Sequence, residues 1–214
     1  MSSINVKESK SHHRKIKQKR GKKTYDALMS TGFKLLEKKD LEKISVSELA
    51  QESGYSVGAF YARFESKDQF FNALIQEHLR LRTESLENLY SRVTLENLVE
   101  ELMHNLANYY TEHSEFWRTV LLKRIRDPEF WDPFNSHFFD SAQLLMHRIS
   151  TENGRSIMEQ ETRNIYFAFQ AILGLLSRNL YTGFTPKVIR KEDFVNQLVR
   201  AFKLISDYEN LIKS

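Results

Sequence analysis

Apolar residues recur at helical spacing along almost the whole chain. Leu28, Met29, Phe33, Leu35 and Leu36 fit a first helix running from Lys22 to about Lys38. Asp40 follows, a residue suited to a left-handed turn. Ser45-Val46-Ser47-Glu48 reads as a capping box: the serine oxygen accepts from the third helical N–H and the glutamate reaches back. It predicts a short second helix over Val46 to Ser53, ended by Gly54. Ser56 then caps a third helix of about six residues. Ser66-Lys67-Asp68-Gln69 is a second box, opening a longer helix through Phe70, Leu74, Ile75, His78 and Leu81. Further helices are predicted at about 95–111, 114–126, 128–151, 157–182 and 187–212. Asp127-Pro128 and Thr185-Pro186 are cap-plus-proline starts, and Asn153-Gly154 and Gly183 are stops.

Glycine and proline total only seven and three in 214 residues, too few turn formers for a sandwich or barrel, so the predicted class is all-α. With no cysteine, disulfides, thiol catalysis and thiolate metal sites are excluded. No apolar run approaches the roughly 18 residues of a membrane span, and the basic N-terminus lacks the apolar stretch of a signal peptide. No membrane partner is expected, and the expected compartment is the cytoplasm.

The net charge of +4 conceals an asymmetry. Residues 1–23 hold nine lysines and arginines, Lys22 and Lys23 among them, against Glu8 alone, a charge of +8; the remaining residues therefore carry −4. A basic arm on a mildly acidic body points to a polyanionic partner. A solubilising tail without a partner is the competing explanation. The expected domains are the arm (1–21), a small helical domain (22–70) and a larger helical domain (71–214).

The helix after Gly54 poses a question, since two turns are unstable alone and this one carries small residues where an apolar face belongs. The spacing of Ala50, Gly54 and Phe60 is that of a helix-turn-helix: a small residue at the crossing, a glycine in the turn and an apolar anchor on the second helix. Val46 and Leu49, with Tyr55 and Phe64, complete that core. Ser56, Val57, Gly58, Ala59, Tyr61 and Arg63 are left facing outward. Such a surface suits a DNA major groove, with Val57 or Ala59 against a thymine methyl and Ser56, Tyr61 and Arg63 as donors. Lys67 stands in the first turn of the next helix, where it opposes the macrodipole and where a phosphate would satisfy it.

The run S-V-S-E-L-A-Q-E-S-G-Y-S-V-G-A-F-Y-A-R-F-E-S-K-D resembles the tetracycline-repressor (TetR) family of bacterial transcription regulators, and the likeness extends over roughly residues 24–71. The resemblance implies that Ser45 touches backbone phosphate and that Ser56, Val57, Gly58 and Ala59 approach groove and backbone. It places Tyr61 and Lys67 on phosphates. Arg63 stands where the family carries histidine or tyrosine, Asp40 where glycine is common, and Thr31-Gly32 in place of an alanine pair.

The resemblance also implies a C-terminal helical domain that binds a small-molecule effector and forms a homodimer through its last two long helices. The sequence permits this with an apolar stripe on each: Ile165, Phe169, Ile172, Leu173, Leu176 and Leu180, then Phe194, Leu198, Phe202 and Ile205. Phe169, Ile172, Leu173, Leu176, Leu198, Phe202 and Ile205 are the candidate interface, although so regular a stripe also fits an ordinary core. Ala168, Ala171 and Gly174 would allow close approach. An aromatic-rich stretch supplies candidates for a largely apolar effector pocket: Tyr109, Tyr110, Phe116, Trp117, Phe134 and Phe138, with Phe130, Trp131 and Phe139 nearby. Arg118, Arg124 and Arg126 are candidates for an acidic head group.

Enzymatic motifs are missing: there is no Gly-rich phosphate loop, no G-x-S-x-G and no H-E-x-x-H, and no two histidines stand at i, i+4. No cofactor, metal or catalytic residue is therefore expected. The sequence thus points to a dimeric, ligand-responsive transcription regulator, a repressor on a palindromic operator in double-stranded DNA. Two rivals remain: a non-specific DNA-coating protein that uses the basic arm, and a helical binding module without DNA function.

Overall fold

The computed structural model describes residues 21–126, 132–182 and 191–213; all regular elements among them are helices, and the chain divides into two compact units after Ile75. Most of the basic arm lies outside the described residues, as do Asp127-Pro128, Phe130, Trp131, Gly183 and Thr185-Pro186.

The first unit comprises α1 (21–36), a 3-10 turn (Leu41–Lys43), α2 (Val46–Ser53), α3 (Val57–Tyr61) and the first turns of α4 (Lys67–Arg92). Its core gathers Leu28, Leu36, Leu49 and Ala50 with Phe60, Phe64 and Phe70, all buried. The three phenylalanines form one cluster with ring centroids 4.9–5.5 Å apart. Gly32 of α1 lies against this cluster, and a Cβ there would stand 2.5 Å from Phe70 Cζ and 2.9 Å from Leu74 Cδ1. The missing side chain thus lets α1 and the start of α4 pack closely.

The local caps explain where α2 begins and ends. Ser45 Oγ accepts from Glu48 N–H at 3.1 Å. Gly54, at φ +77°, donates to Gln51 O while Tyr55 N–H bonds Ala50 O at 2.9 Å, a Schellman closure. Two expectations fail nearby. Glu48 does not reach back to its cap but pairs with the Lys39 ammonium, a stronger partner than a backbone N–H, and this bond holds its carboxyl below the usual range. Asp40 is not left-handed: at φ −57°, ψ 146° it leads into the 3-10 turn, whose Leu41 is buried.

The second unit contains the rest of α4, α5 (Leu95–Glu112), α6 (Ser114–Arg126), α7 (Asp132–Asn153), α8 (Glu159–Thr182), α9 (Lys191–Ser206) and a single turn α10 (Tyr208–Leu211). Gly154, at φ +65°, follows α7. Helix α8 packs on α9, α7, α6 and α5, and α9 also packs on α5. The single final helix expected from the sequence is broken at Asp207, which is left-handed (φ 56°). The kink buries Tyr208, whose hydroxyl donates to Leu95 O at 2.7 Å, and Asn153 Nδ2 donates to Leu211 O at 2.7 Å.

The apolar stripes of α8 and α9 are the core of this unit. Phe169, Ile172, Leu176, Leu198 and Phe202 are buried inside the chain's own fold, and Leu173 and Ile205 are half-buried. They were expected at a dimer interface, and the structure turns them inward because α5, α6 and α7 cover them. Among the described residues nothing lies within 4 Å of a Cβ built on Gly174, so no close approach of the described helices explains that glycine. The opposite sides of α8 and α9 expose Phe167 (61%), Leu175 (42%) and Leu204 (72%).

Candidate nucleic-acid interface and internal cavity

Helix α3 is held from one side only. Ser56 Oγ caps it by accepting from Ala59 N–H at 3.2 Å, and Phe60 anchors it with no exposed surface. Most of the rest of α3 faces out. Val57 is 40% and Tyr61 55% exposed, Ser56 and Gly58 are exposed, and Ala59 is half-buried. A Cβ on Gly58 would meet only Ser56 Oγ, at 3.7 Å. The small residues are therefore not demanded by packing within the chain.

Around α3 the structure places the remaining candidates differently from one another. Lys22 and Lys23 are exposed on the first turn of α1, and Ser45 is exposed at the cap of α2. Arg63 is exposed, but its Nε donates to Gly21 O at 3.3 Å and its Nη1 to Ala62 O at 3.1 Å, tying it to the start of α1. Lys67 departs further from expectation. It is half-buried, and Nζ donates to Leu41 O at 2.8 Å and Ile44 O at 3.0 Å. It ties the start of α4 to the backbone around the 3-10 turn. Gln69 completes the cap of α4: its N–H bonds Ser66 Oγ at 3.0 Å and its Oε1 accepts from Glu65 N–H at 2.6 Å.

The second unit encloses a cavity of about 400 Å³ between α4, α5, α6, α7 and α8. It brings together four of the six aromatic candidates, Tyr109, Tyr110, Trp117 and Phe138. Tyr110 and Trp117 stack with centroids 4.6 Å apart. Phe116 is not among the lining residues: it is buried against the His78 ring, 4.0 Å between centroids. The Phe134 side chain lies outside the described residues. Leucines 79, 86, 102, 106 and 121 add apolar wall, and Ser141, Gln170 and Ser177 add polar groups.

The cation of this cavity was not found from the sequence. Arg118 bonds Leu180 O at 2.7 Å and pairs with Glu115, and the Arg124 and Arg126 side chains lie outside the described residues. Arg82 instead lines the cavity and is 5% exposed. Its spacing carried the signal: Ile75, Leu79, Arg82 and Leu86 fall at i, i+4, i+7 and i+11, the buried face of α4. Arg80, two residues earlier, points outward and binds Glu77 and Glu84.

Arg82 changes its neighbours' chemistry. Its guanidinium carbon lies 4.4 Å from the Tyr109 ring centroid, a cation–π contact, and Nη1 bonds Asn105 Oδ1. Burial, reinforced by the charges of His113, Arg82 and His137, brings His78 down to about 3. Burial and then the Arg82 charge bring His137 down to about 4, against a smaller upward pull from Asp140. Both imidazoles are neutral at physiological pH. His78 Nε2 bonds the Tyr109 hydroxyl, and His137 Nδ1 lies 3.1 Å from Thr83 Oγ1.

Residues 28–74 match the family of bacterial regulatory proteins designated tetR. Over that segment the chain is similar to tetR regulators. Among curated proteins it is 28% identical over 98 residues to the uncharacterized HTH-type transcriptional regulator YwcC of Bacillus subtilis (strain 168), a match spanning 41% of this chain and 42% of that one. Two solved structures share its fold. A TetR transcription regulator from Haloarcula marismortui aligns with a TM-score of 0.64 at 17% identity, covering 87% of this chain and 96% of that one. A transcriptional regulator from Cytophaga hutchinsonii aligns at 0.67 and 14%, covering 85% and 96%.

Proposed function

We propose that this chain is a DNA-binding transcription regulator that reads a roughly palindromic operator as a homodimer and is released by a small, largely apolar effector. The outer side of α3 carries the reading. Gly58 and its neighbours are bare of the protein's own side chains, and a groove floor supplies the missing contact. In a dimer, two such helices meet successive major grooves about 34–36 Å apart when one helical turn separates the half-sites. Exposed Tyr61, Ser45 and the lysines of α1 serve phosphates, which fix register. Lys67 acts behind them by holding the 3-10 turn in place.

The dimer surface follows from the burial pattern. With the inward stripes occupied, Phe167, Leu175 and Leu204 remain as the apolar outer sides of α8 and α9. Introducing Phe167→Glu with Leu204→Glu yields a monomer by light scattering; a dimer that survives both changes has its interface elsewhere.

Selection of bound duplexes from a random pool tests the whole reading. The wild-type chain enriches a two-fold symmetric sequence. Gly58→Phe and Tyr61→Ala both lose that enrichment while keeping a melting temperature close to that of the wild type. A pool that shows no common sequence, at low salt and with intact protein, rules the regulator out and favours the DNA-coating alternative. Removing residues 1–20 lowers affinity for all duplexes alike and reduces its salt dependence, since those residues neutralise phosphates without reading bases. For the effector, linkage requires that operator weaken effector binding by the factor that effector weakens operator binding.

A further inference from the structure

The cavity holds a charge with no counter-ion among the described residues. Arg82 is the one lysine or arginine among its described lining residues, and no carboxylate among the described residues lies within ion-pair distance of it. An arginine side chain stays protonated in proteins. Of its five N–H donors, Nη1 has an acceptor in Asn105 Oδ1, whereas Nη2 is buried without one. A buried guanidinium held by one amide oxygen and one ring face is an expensive arrangement for folding alone, because desolvation is only partly offset. Among the described residues the fold offers no partner that would make the arrangement self-sufficient.

We infer that the effector is a monoanion: an apolar body whose carboxylate lies against Arg82. This rests on the reading of the cavity as the effector site and adds the ligand's chemical class to it. The charge is single because one cation faces the cavity; His137, the other titratable nitrogen on its wall, contributes a neutral ring. The body is apolar because leucines and the Tyr110–Trp117 stack line the cavity. The cavity's volume, about 400 Å³, is that of a small-molecule site. A carboxylate also suits the planar donor fork of arginine, which can meet both its oxygens.

Calorimetric titration of the intact chain with two matched pairs tests the inference: octanoate against 1-octanol, and 2-naphthoate against 2-naphthol, at pH 7.5. Each acid binds about tenfold or more tightly than its alcohol, the range for a hydrogen bond to a charged group. Arg82→Gln brings the acids to the level of the alcohols while leaving alcohol affinity near wild type, a split that a merely structural arginine would not produce. Should Arg82→Gln fail to fold, Arg82→Lys, which retains the charge, keeps the sign of the preference. Alcohols that match the acids in the wild-type chain, or an acid preference that survives Arg82→Gln, overturn the anion assignment and leave the cavity as a ligand site. If none of the four binds, the effector reading falls together with the assignment.

Discussion

Helix α3 and the buried half of α4 are unfinished in opposite ways. In α3 the inner side is complete, with Phe60 locked among aromatic rings, and the outer side is bare backbone and small groups. In α4 the outer side is complete, with Arg80 held between Glu77 and Glu84, and the inner side carries Arg82 without a counter-ion among the described residues. One surface lacks bulk and the other lacks charge. The first suits a large partner approaching from outside, the second a small one enclosed within. The contrast teaches that a site is recognised by which physical requirement the protein leaves unmet.

The contrast is sharpest at neighbouring residues of α3. Phe60→Ala removes a fully buried ring and costs about 3–5 kcal/mol of stability, measured by urea unfolding. Tyr61→Ala, at 55% exposure, changes the same measurement by less than about 0.5 kcal/mol. Equal losses at both positions would mean that the two sides of α3 are not distinct.

Glycine gives a second, smaller test. Gly32→Ala drives a methyl into the Phe70 ring, itself pinned by Phe60 and Phe64, and destabilises by about 1–3 kcal/mol. Gly58→Ala, in open surroundings, stabilises by about 0.5–1 kcal/mol. A loss at both positions would place an unseen packing demand on the outer side of α3.

Acid probes the enclosed side. His137 has a folded-state value of about 4, below its unfolded 6.5. As pH falls from 7 to 5.5 the unfolded chain takes up the proton and the folded chain does not, so stability declines, by about 1 kcal/mol for this group. His137→Gln lessens the slope of that part of the profile in unfolding experiments, and the contribution of His78 remains; an unchanged slope would show that the His137 ring is solvated. The smallest effect belongs to Lys39 and Glu48. Glu48 is depressed in the folded state, so its contribution is present above the ordinary carboxylate range and lost as pH falls through the depressed value. Lys39→Met therefore melts slightly below wild type at pH 7, and the difference shrinks as the medium is acidified and Glu48 takes up its proton.

Much of the first unit was legible in the sequence because its signals are local. Ser45 and Gly54 set both ends of α2, and the spacing of Ala50, Gly54 and Phe60 identified the inner core. What stayed hidden depended on distant partners. The acceptors of Lys67 are carbonyls 23 and 26 residues away, and Glu48 found Lys39 instead of its own cap. Periodicity in α8 and α9 marked a buried side but could not say that α5, α6 and α7 cover it, which is why core residues were read as an interface. In the cavity, aromatic content pointed to the right stretch, yet Phe116 belongs to the His78 contact. Arg82 was overlooked because the run Leu79-Arg80-Leu81-Arg82 reads as surface charge until each residue is assigned to a side of the helix.

The open space around Gly58 has a consequence for how such a protein changes over generations. Of the five residues of α3 only Phe60 is fully buried, so substitutions at 57, 58 and 61 can accumulate without loss of the folded molecule. A library randomised at those three positions would yield soluble variants almost throughout, differing in which duplex each one retains.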